Sequence, residues 1–327
     1  MPAEDAAAAV PPLYFSMGLS FRSGDLATAA RLIEEVGFDS VSAGEHVAFH
    51  GPTPSALINL AHVAGIAPNL RLMSGITLVP LYPAALLAKQ VAMLDYVSNG
   101  RLDFGIGVGG EYPPEFEAVG VPHKERGART DEALEVLIAL WSGEVVEFEG
   151  RFTRLPGVRI APAPVQRPHP PIWVAGRSEA AMRRAGSYGN FWMPYMYTPE
   201  LLADSIVKVR AAAEAAGRDP EAIRSVINCF IAVGEDGEKV RKAAAEAVSG
   251  VYKQDFTGHR SRYLVAGTPE ECVERLGEHI QAGATGAVFS LACGPDEAHD
   301  VIRITGEQVL PAVRERFGAL AAERVGG

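Results

Sequence analysis

The sequence predicts an α/β chain folded as a single (β/α)8 TIM barrel with a hairpin insertion after the fourth βα unit. Apolar strand-like runs alternate eight times with segments of helical period along 327 residues, and no linker-like stretch divides them. The one break, at 144–171, combines dense proline with alternating residues and reads as a β-hairpin excursion. Residues 1–12 are expected to be a flexible N-terminal segment, 13–320 the barrel and 321–327 a C-terminal tail.

The run at 13–20 reads as the first strand, and 25–37 follows with Leu26, Ala30, Ile33 and Val36 at helical spacing before Gly37. Strands at 38–44, 70–79 and 101–109 each lead into an apolar helical segment. The fourth of these helices carries Leu134, Leu137, Ile138 and Trp141 on one face. After the hairpin, PIWVAG and NFWMPY supply strands five and six. Thr198-Pro199 begins a helix, because threonine caps and proline suits the first helical position. IRSVINCFIAV is strand seven, and Thr268 with Glu271 three residues later forms a capping box. The run at 286–292 is strand eight, and a helix over 296–320 closes the chain.

Composition narrows the function classes. Hydrophobic residues at 48% and charged residues at 21% suit a full-sized core and exclude global disorder. Forty acidic residues against thirty basic ones give a formal net charge of -10, and no basic run appears, so nucleic acid is not an expected partner. Cys229, Cys272 and Cys293 form no CxxC pair, which fits a reducing, cytoplasmic setting. The first twelve residues lack a basic region and end in prolines, so neither a signal peptide nor a membrane anchor is expected.

In such a barrel, chemistry belongs to the C-terminal ends of the strands. His46 follows strand two and Glu111 leaves strand four. Each is a candidate acid or base, against the blander readings of a structural histidine and a solvated loop acid. Gly105 to Gly110 contain a formal GxGxxG, but Tyr112-Pro113-Pro114 follow where a dinucleotide site needs a helix to open. Gly109 and Gly110 therefore read as a strand-ending bend or a surface for a flat ring. Ala175-Gly176-Arg177-Ser178 runs from strand five into a helix whose free N–H groups suit an anion, or form an ordinary N-cap. Trp192 and Tyr195 follow as candidate walls of a substrate pocket, with Phe191 and Met193 as core. Glu45, His46 and His50 lack an HExxH spacing, so no metal is expected, and a metal-dependent hydrolase on the same barrel is the alternative class.

The stretches GFDSVSAGEH, SNGRLDFGIGVGGEYPPEFEAVGV, RGARTDEALEVLIALWSG and RPHPPIWVAGRSEAAMRRAGSYGNFWMP together resemble the bacterial luciferase-like flavin and deazaflavin oxidoreductases, particularly those dependent on coenzyme F420. The resemblance spans most of 30–195. It implies a homodimer with its redox ring at the C-terminal mouth, acting on a small organic substrate with F420, or with FMN as a monooxygenase. It implies a non-proline cis peptide at Thr77-Leu78 behind the ring, catalytic His46 and Glu111, and cofactor phosphate at Gly176-Arg177-Ser178. Val47-Ala48-Phe49 departs from the aromatic-rich continuation of the family's sugar dehydrogenases, which points away from a sugar substrate.

Overall fold

The computed structural model describes residues 10–252, 255–258 and 262–325. Residues 1–9 and 326–327 of the expected terminal segments lie outside them. In chain order the elements are β1 (Tyr14–Gly18), α1 (Leu26–Glu35), β2 (Ser40–Ala43), α2 (Ala56–Ala64), β3 (Arg71–Ser74), β4 (Thr77–Leu78), α3 (Ala84–Val97), β5 (Leu102–Gly107), α4 (Pro113–Ala118) and α5 (Arg126–Trp141). The hairpin β6 (Val146–Glu149) and β7 (Arg154–Val158) follows. Then come β8 (Ile172–Ala175), α6 (Glu179–Tyr188), β9 (Phe191–Met193), α7 (Pro199–Ala215), β10 (Arg224–Ser225), β11 (Ile227–Val233) and α8 (Gly237–Tyr252). The chain ends with β12 (Leu264–Gly267), α9 (Pro269–Gln281), β13 (Gly286–Leu291), α10 (Ala298–Ile304) and α11 (Leu310–Val325).

The sheet runs β10-β9-β8-β5-β3-β2-β1-β13-β11-β12, with β4 beside β5. Its strand pairs are parallel, whereas β6 and β7 pair antiparallel in a separate hairpin. Only Val226 separates β10, which pairs with β9, from β11, which pairs with β13. The path therefore closes on itself, and the fold is the TIM barrel that the alternation predicts.

Period-two alternation decides which side chains enter the barrel. Phe15, Val41, Leu72, Phe104, Ile106, Val174 and Ile231 pack outward against the helices in one large core. Tyr14, Met73, Trp173, Phe191, Met193, Val226 and Val288 form a separate cluster inside the ring. Trp173 stacks on Phe191 with centroids 3.8 Å apart.

An ionic group closes the N-terminal floor. Arg71 donates through Nε and Nη2 to the two oxygens of Asp103, each at 2.8 Å, and Tyr14 Oη donates to Asp103 at 2.7 Å. Burial alone would pull the Arg71 guanidinium down, but the charge and hydrogen bonds of Asp103, together with Tyr14 and Asp95, outweigh it and leave Arg71 above its ordinary value. Burial, with the Asp103 charge second, raises the Tyr14 phenol.

The sequence expectations hold at the caps. Thr198 and Thr268 both cap their helices, and the Thr268–Glu271 capping box is present. Four details differ. The expected strand at 70–79 is broken between β3 and β4, where the non-proline cis bond stands at Gly75-Ile76. This corrects the expected Thr77-Leu78 position by two residues. An unforeseen strand, β12, pairs with Phe230–Val233 at the end of β11. The closing helix is interrupted by a π-turn at Thr305–Val309 and continues to Val325, so the expected tail from 321 is helical there. Residues 10–12 are anchored, since Arg224 donates to the carbonyls of Val10, Pro11 and Pro12.

Because removing one partner strands a buried charge, Asp103→Asn is expected to cost about 3–5 kcal/mol in urea-induced unfolding. A loss below about 1 kcal/mol would mean that the floor pair does not hold the barrel together.

Candidate active site

At the C-terminal mouth the chain leaves β2 through Gly44-Glu45-His46. Glu45 turns inward and accepts from Leu78 N at 2.8 Å, Tyr82 Oη at 2.9 Å and Ala56 N at 3.2 Å. Burial raises its carboxyl above the usual range, and these three donors oppose the rise. One buried acid thus ties the β2 exit to β4 and to the start of α2. That tie holds the residue that follows it.

His46 is 21% exposed at the side chain and sits against a fully buried Glu115, with Nδ1 3.1 Å and 3.2 Å from the two carboxylate oxygens. Val47 N also donates to Glu115, at 3.2 Å. A carboxylate can only accept, so His46 Nδ1 is the donor, and in the neutral ring Nε2 is then the acceptor. The ring stacks on Phe49 at 4.3 Å, and Tyr112 meets both Phe49 and His50 edge-on.

Glu115 was not singled out from sequence. Its signal lies in Pro113-Pro114, which open α4 and bring the acid in the first turn back toward the barrel. The two expected catalytic residues have different partners, His46 with Glu115 and Glu111 with Tyr195. Glu111 is exposed and accepts from Tyr195 Oη at 3.3 Å, while the Arg177 guanidinium lies 5.1 Å from the centre of the Tyr195 ring. Burial first, then the Glu111 charge, raises the Tyr195 phenol. Three sequence-predicted residues from three different loops therefore meet at the rim.

Beneath the mouth, Ile76 follows the cis bond and lies over Gly107, where a Cβ would come within 1.9 Å of Ile76 Cδ1. Thr77 is fully buried and its Oγ1 has no partner. Leu78 is pinned by Glu45, and its side chain reaches toward Gly109. Gly110 accepts from His123 Nε2 at 3.2 Å.

After β8, Ala175 leads to Gly176, whose φ of 120° favours glycine, and Ser178 caps α6 by accepting from Ala181 N at 3.2 Å. Arg177 and Ser178 are exposed there, and Glu179 occupies the same first turn. Trp192 does not line a substrate pocket as expected. It faces the helical layer, fully buried, and its Nε1 donates to Gly176 O at 2.9 Å, so it braces the loop from behind. The alternation that turns Trp192 outward turns Phe191 and Met193 inward.

The luciferase-like monooxygenase family model matches residues 11–286. The chain belongs to this family. A monooxygenase from Streptomyces bottropensis superimposes with a TM-score of 0.76 at 28% identity, over 91% of this chain and 99% of that one. An F420-dependent secondary alcohol dehydrogenase, solved with an F420-acetone adduct, gives a TM-score of 0.79 over 92% and 99% of the two chains, and at 23% identity it bears on the fold alone. The FMNH2-dependent dimethylsulfone monooxygenase of Pseudomonas putida is 30% identical over 202 residues, which span 61% of this chain and 54% of that one. Among the described residues no group of three His, Cys, Asp or Glu is placed to hold a metal, and no helix is long and apolar enough to cross a membrane.

The residues present fit a phosphorylated tricyclic cofactor of the kinds that these relatives use. Ile76 offers an apolar surface, Thr77 Oγ1 is an unused buried polar atom, and Gly176-Arg177-Ser178 lead into α6, whose first-turn N–H groups lack intrahelical acceptors. Gly176→Asp is therefore expected to weaken a phosphorylated cofactor more than its dephosphorylated analogue in a binding titration, by crowding those donors and repelling phosphate. Equal losses for the two ligands would remove phosphate from this loop.

Proposed function

We propose that the protein is a coenzyme F420-dependent oxidoreductase that moves hydride between the deazaflavin C5 and a small organic substrate reacting as an alcohol or carbonyl. The His46–Glu115 pair carries this reading, because it presents an imidazole Nε2 at the mouth while a buried carboxylate holds Nδ1. When bound, F420 supplies a two-electron hydride acceptor or donor, which no side chain can.

The rest is done by this chain. His46 Nε2 takes the hydroxyl proton during oxidation and returns it during reduction, and Glu115 stabilises the imidazolium that forms. Glu111, hydrogen-bonded to Tyr195, exchanges that proton with solvent at the rim. Arg177 and the N–H groups opening α6 would hold the phosphate, with the Glu179 charge in the same turn limiting affinity. Thr77 and Leu78 would back the ring together with Ile76, while Gly109 and Gly110 leave space beside it.

A second reading, an FMN-dependent monooxygenase, is favoured by the higher identity to the Pseudomonas putida enzyme than to the F420-dependent dehydrogenase. A homodimer belongs to either reading. Ile58, Leu86 and Tyr96 on α2 and α3 are exposed apolar side chains that a partner would cover. Sedimentation at micromolar concentration is expected to give twice the chain mass, and a monomer throughout would reject the dimer.

The functional test is parallel titration with F420, FMN and FAD, followed by anaerobic single-turnover kinetics. F420 is expected to bind, and His46→Ala to slow hydride transfer by about 10²-fold with little change in cofactor affinity. Glu115→Gln is expected to slow it too, since the amide can turn its NH2 toward Nδ1 and reverse the tautomer. Oxygen-dependent turnover with FMN, and none with F420, would select the second reading.

A further inference from the structure

Far from the mouth, a cavity of about 330 Å³ opens on the N-terminal side of the barrel. Its position follows from its lining: Pro171 and Asn190 immediately precede β8 and β9, Tyr188 ends α6, and Arg218 lies just past α7. These places are the N-terminal ends of strands and the C-terminal ends of helices, the face opposite His46.

Its charge is one-sided. Arg167, His169 and Arg218 line it, and no Asp or Glu does. Neither guanidinium is ion-paired among the described residues: Arg167 donates to Pro164 O, and Arg218 donates to the carbonyls of Gly186 and Gly189, both at 2.8 Å. Those acceptors carry no formal charge, so no acidic side chain cancels either guanidinium, although Arg218 also caps the C-terminal carbonyls of α6, whose partial negative charge offsets part of its own. Burial, with no acid to offset it, pulls Arg218 below its ordinary value, and His169 is lowered first by burial and then by Arg218.

A second cavity shows what an ordinary charged groove looks like in this chain. It is lined by Arg241, Arg262 and Arg275 together with Glu271, Glu274 and Glu278, and Arg241–Glu271 and Arg275–Glu278 are ion pairs. That groove neutralises itself. The cavity on the N-terminal face does not.

We propose that the cavity lined by Arg167, His169 and Arg218 is a second ligand site, which binds a small phosphorylated organic molecule on the face of the barrel opposite the redox mouth. Phosphate, with more acceptor oxygens than a carboxylate, suits cations that come from two separate segments: Arg167 in the loop before β8 and Arg218 in the turn after α7. The Nδ1 of His169 faces Pro170 O at 2.8 Å, so Nε2 is left as an acceptor for a hydroxyl on the organic part. The site is independent of which redox cofactor the mouth takes.

Calorimetric titration of the full chain with inorganic phosphate, at constant ionic strength and without redox cofactor, tests the proposal. Arg177→Ala removes the cation at the mouth, the other place where phosphate could sit, and Arg167→Ala removes the exposed cation of the cavity. Wild type and Arg177→Ala are both expected to show the saturable phosphate site of the cavity, with only binding at the mouth reduced in Arg177→Ala, and Arg167→Ala to bind at the cavity at least about 10-fold more weakly while keeping its circular dichroism spectrum. Arg218→Lys keeps a charge but cannot span both carbonyls, and is expected to weaken phosphate as well. Unchanged binding by Arg167→Ala, loss confined to Arg177→Ala, or no saturable binding by wild type would each overturn the proposal.

Discussion

The bidentate pair between Arg71 and Asp103 is the contact on which the rest of the barrel depends. It joins β3 to β5 inside the floor, and Tyr14 from β1 completes it. A buried charge pair tolerates little misalignment, so it fixes the relative height of these strands. Everything above inherits that height: where β3 breaks at Gly75-Ile76, where β5 delivers Gly107, and where Pro113-Pro114 bring Glu115 under His46. Floor and mouth divide the work, with large or charged side chains below and Gly107, Ala175 and Ser42 at the upper inward positions.

Much of this was legible in the sequence because local chemistry and global fold agree. Thr198-Pro199 and Thr268 with Glu271 are helix starts whose hydrogen bonds close within four residues, so no tertiary knowledge is needed to place them. His46 was legible for a different reason: strand ends in a barrel face one mouth, and a histidine there is placed by topology. What failed was whatever rests on register. Phe191, Trp192 and Met193 are all large, apolar and buried, so alternation gives no clue to which of them faces inward, and Trp192 was assigned the wrong side. The position of the cis bond depends on where β3 stops pairing, and the run LRLMSGITLV reads as one uninterrupted strand. Glu115 was hidden because its partner lies 69 positions away, and Pro113-Pro114 mark the start of its helix without marking the pair.

Membership of the luciferase-like monooxygenase family sets the architecture and points to oxidoreductase chemistry, but it does not choose the cofactor. That choice lives in the site. On the proposed reading a histidine braced by a buried carboxylate suits a reaction in which a proton moves with a hydride, and the rim cluster of Glu111, Tyr195 and Arg177 would give the proton a path outward and the phosphate a cation. Trp192 contributes indirectly, by bracing the Gly176 loop from behind.

The central claim is that Glu115 fixes His46 with Nδ1 protonated and Nε2 free. Long-range proton–nitrogen NMR on protein labelled with ¹⁵N-histidine reads this directly, with the His46 signals assigned by their absence from a His46→Ala sample. The account predicts that neutral His46 shows a pyrrole-type Nδ1 and a pyridine-type Nε2. A His46 ring with its proton on Nε2 would contradict it, because Glu115 would then face a lone pair and the mouth would lack its base.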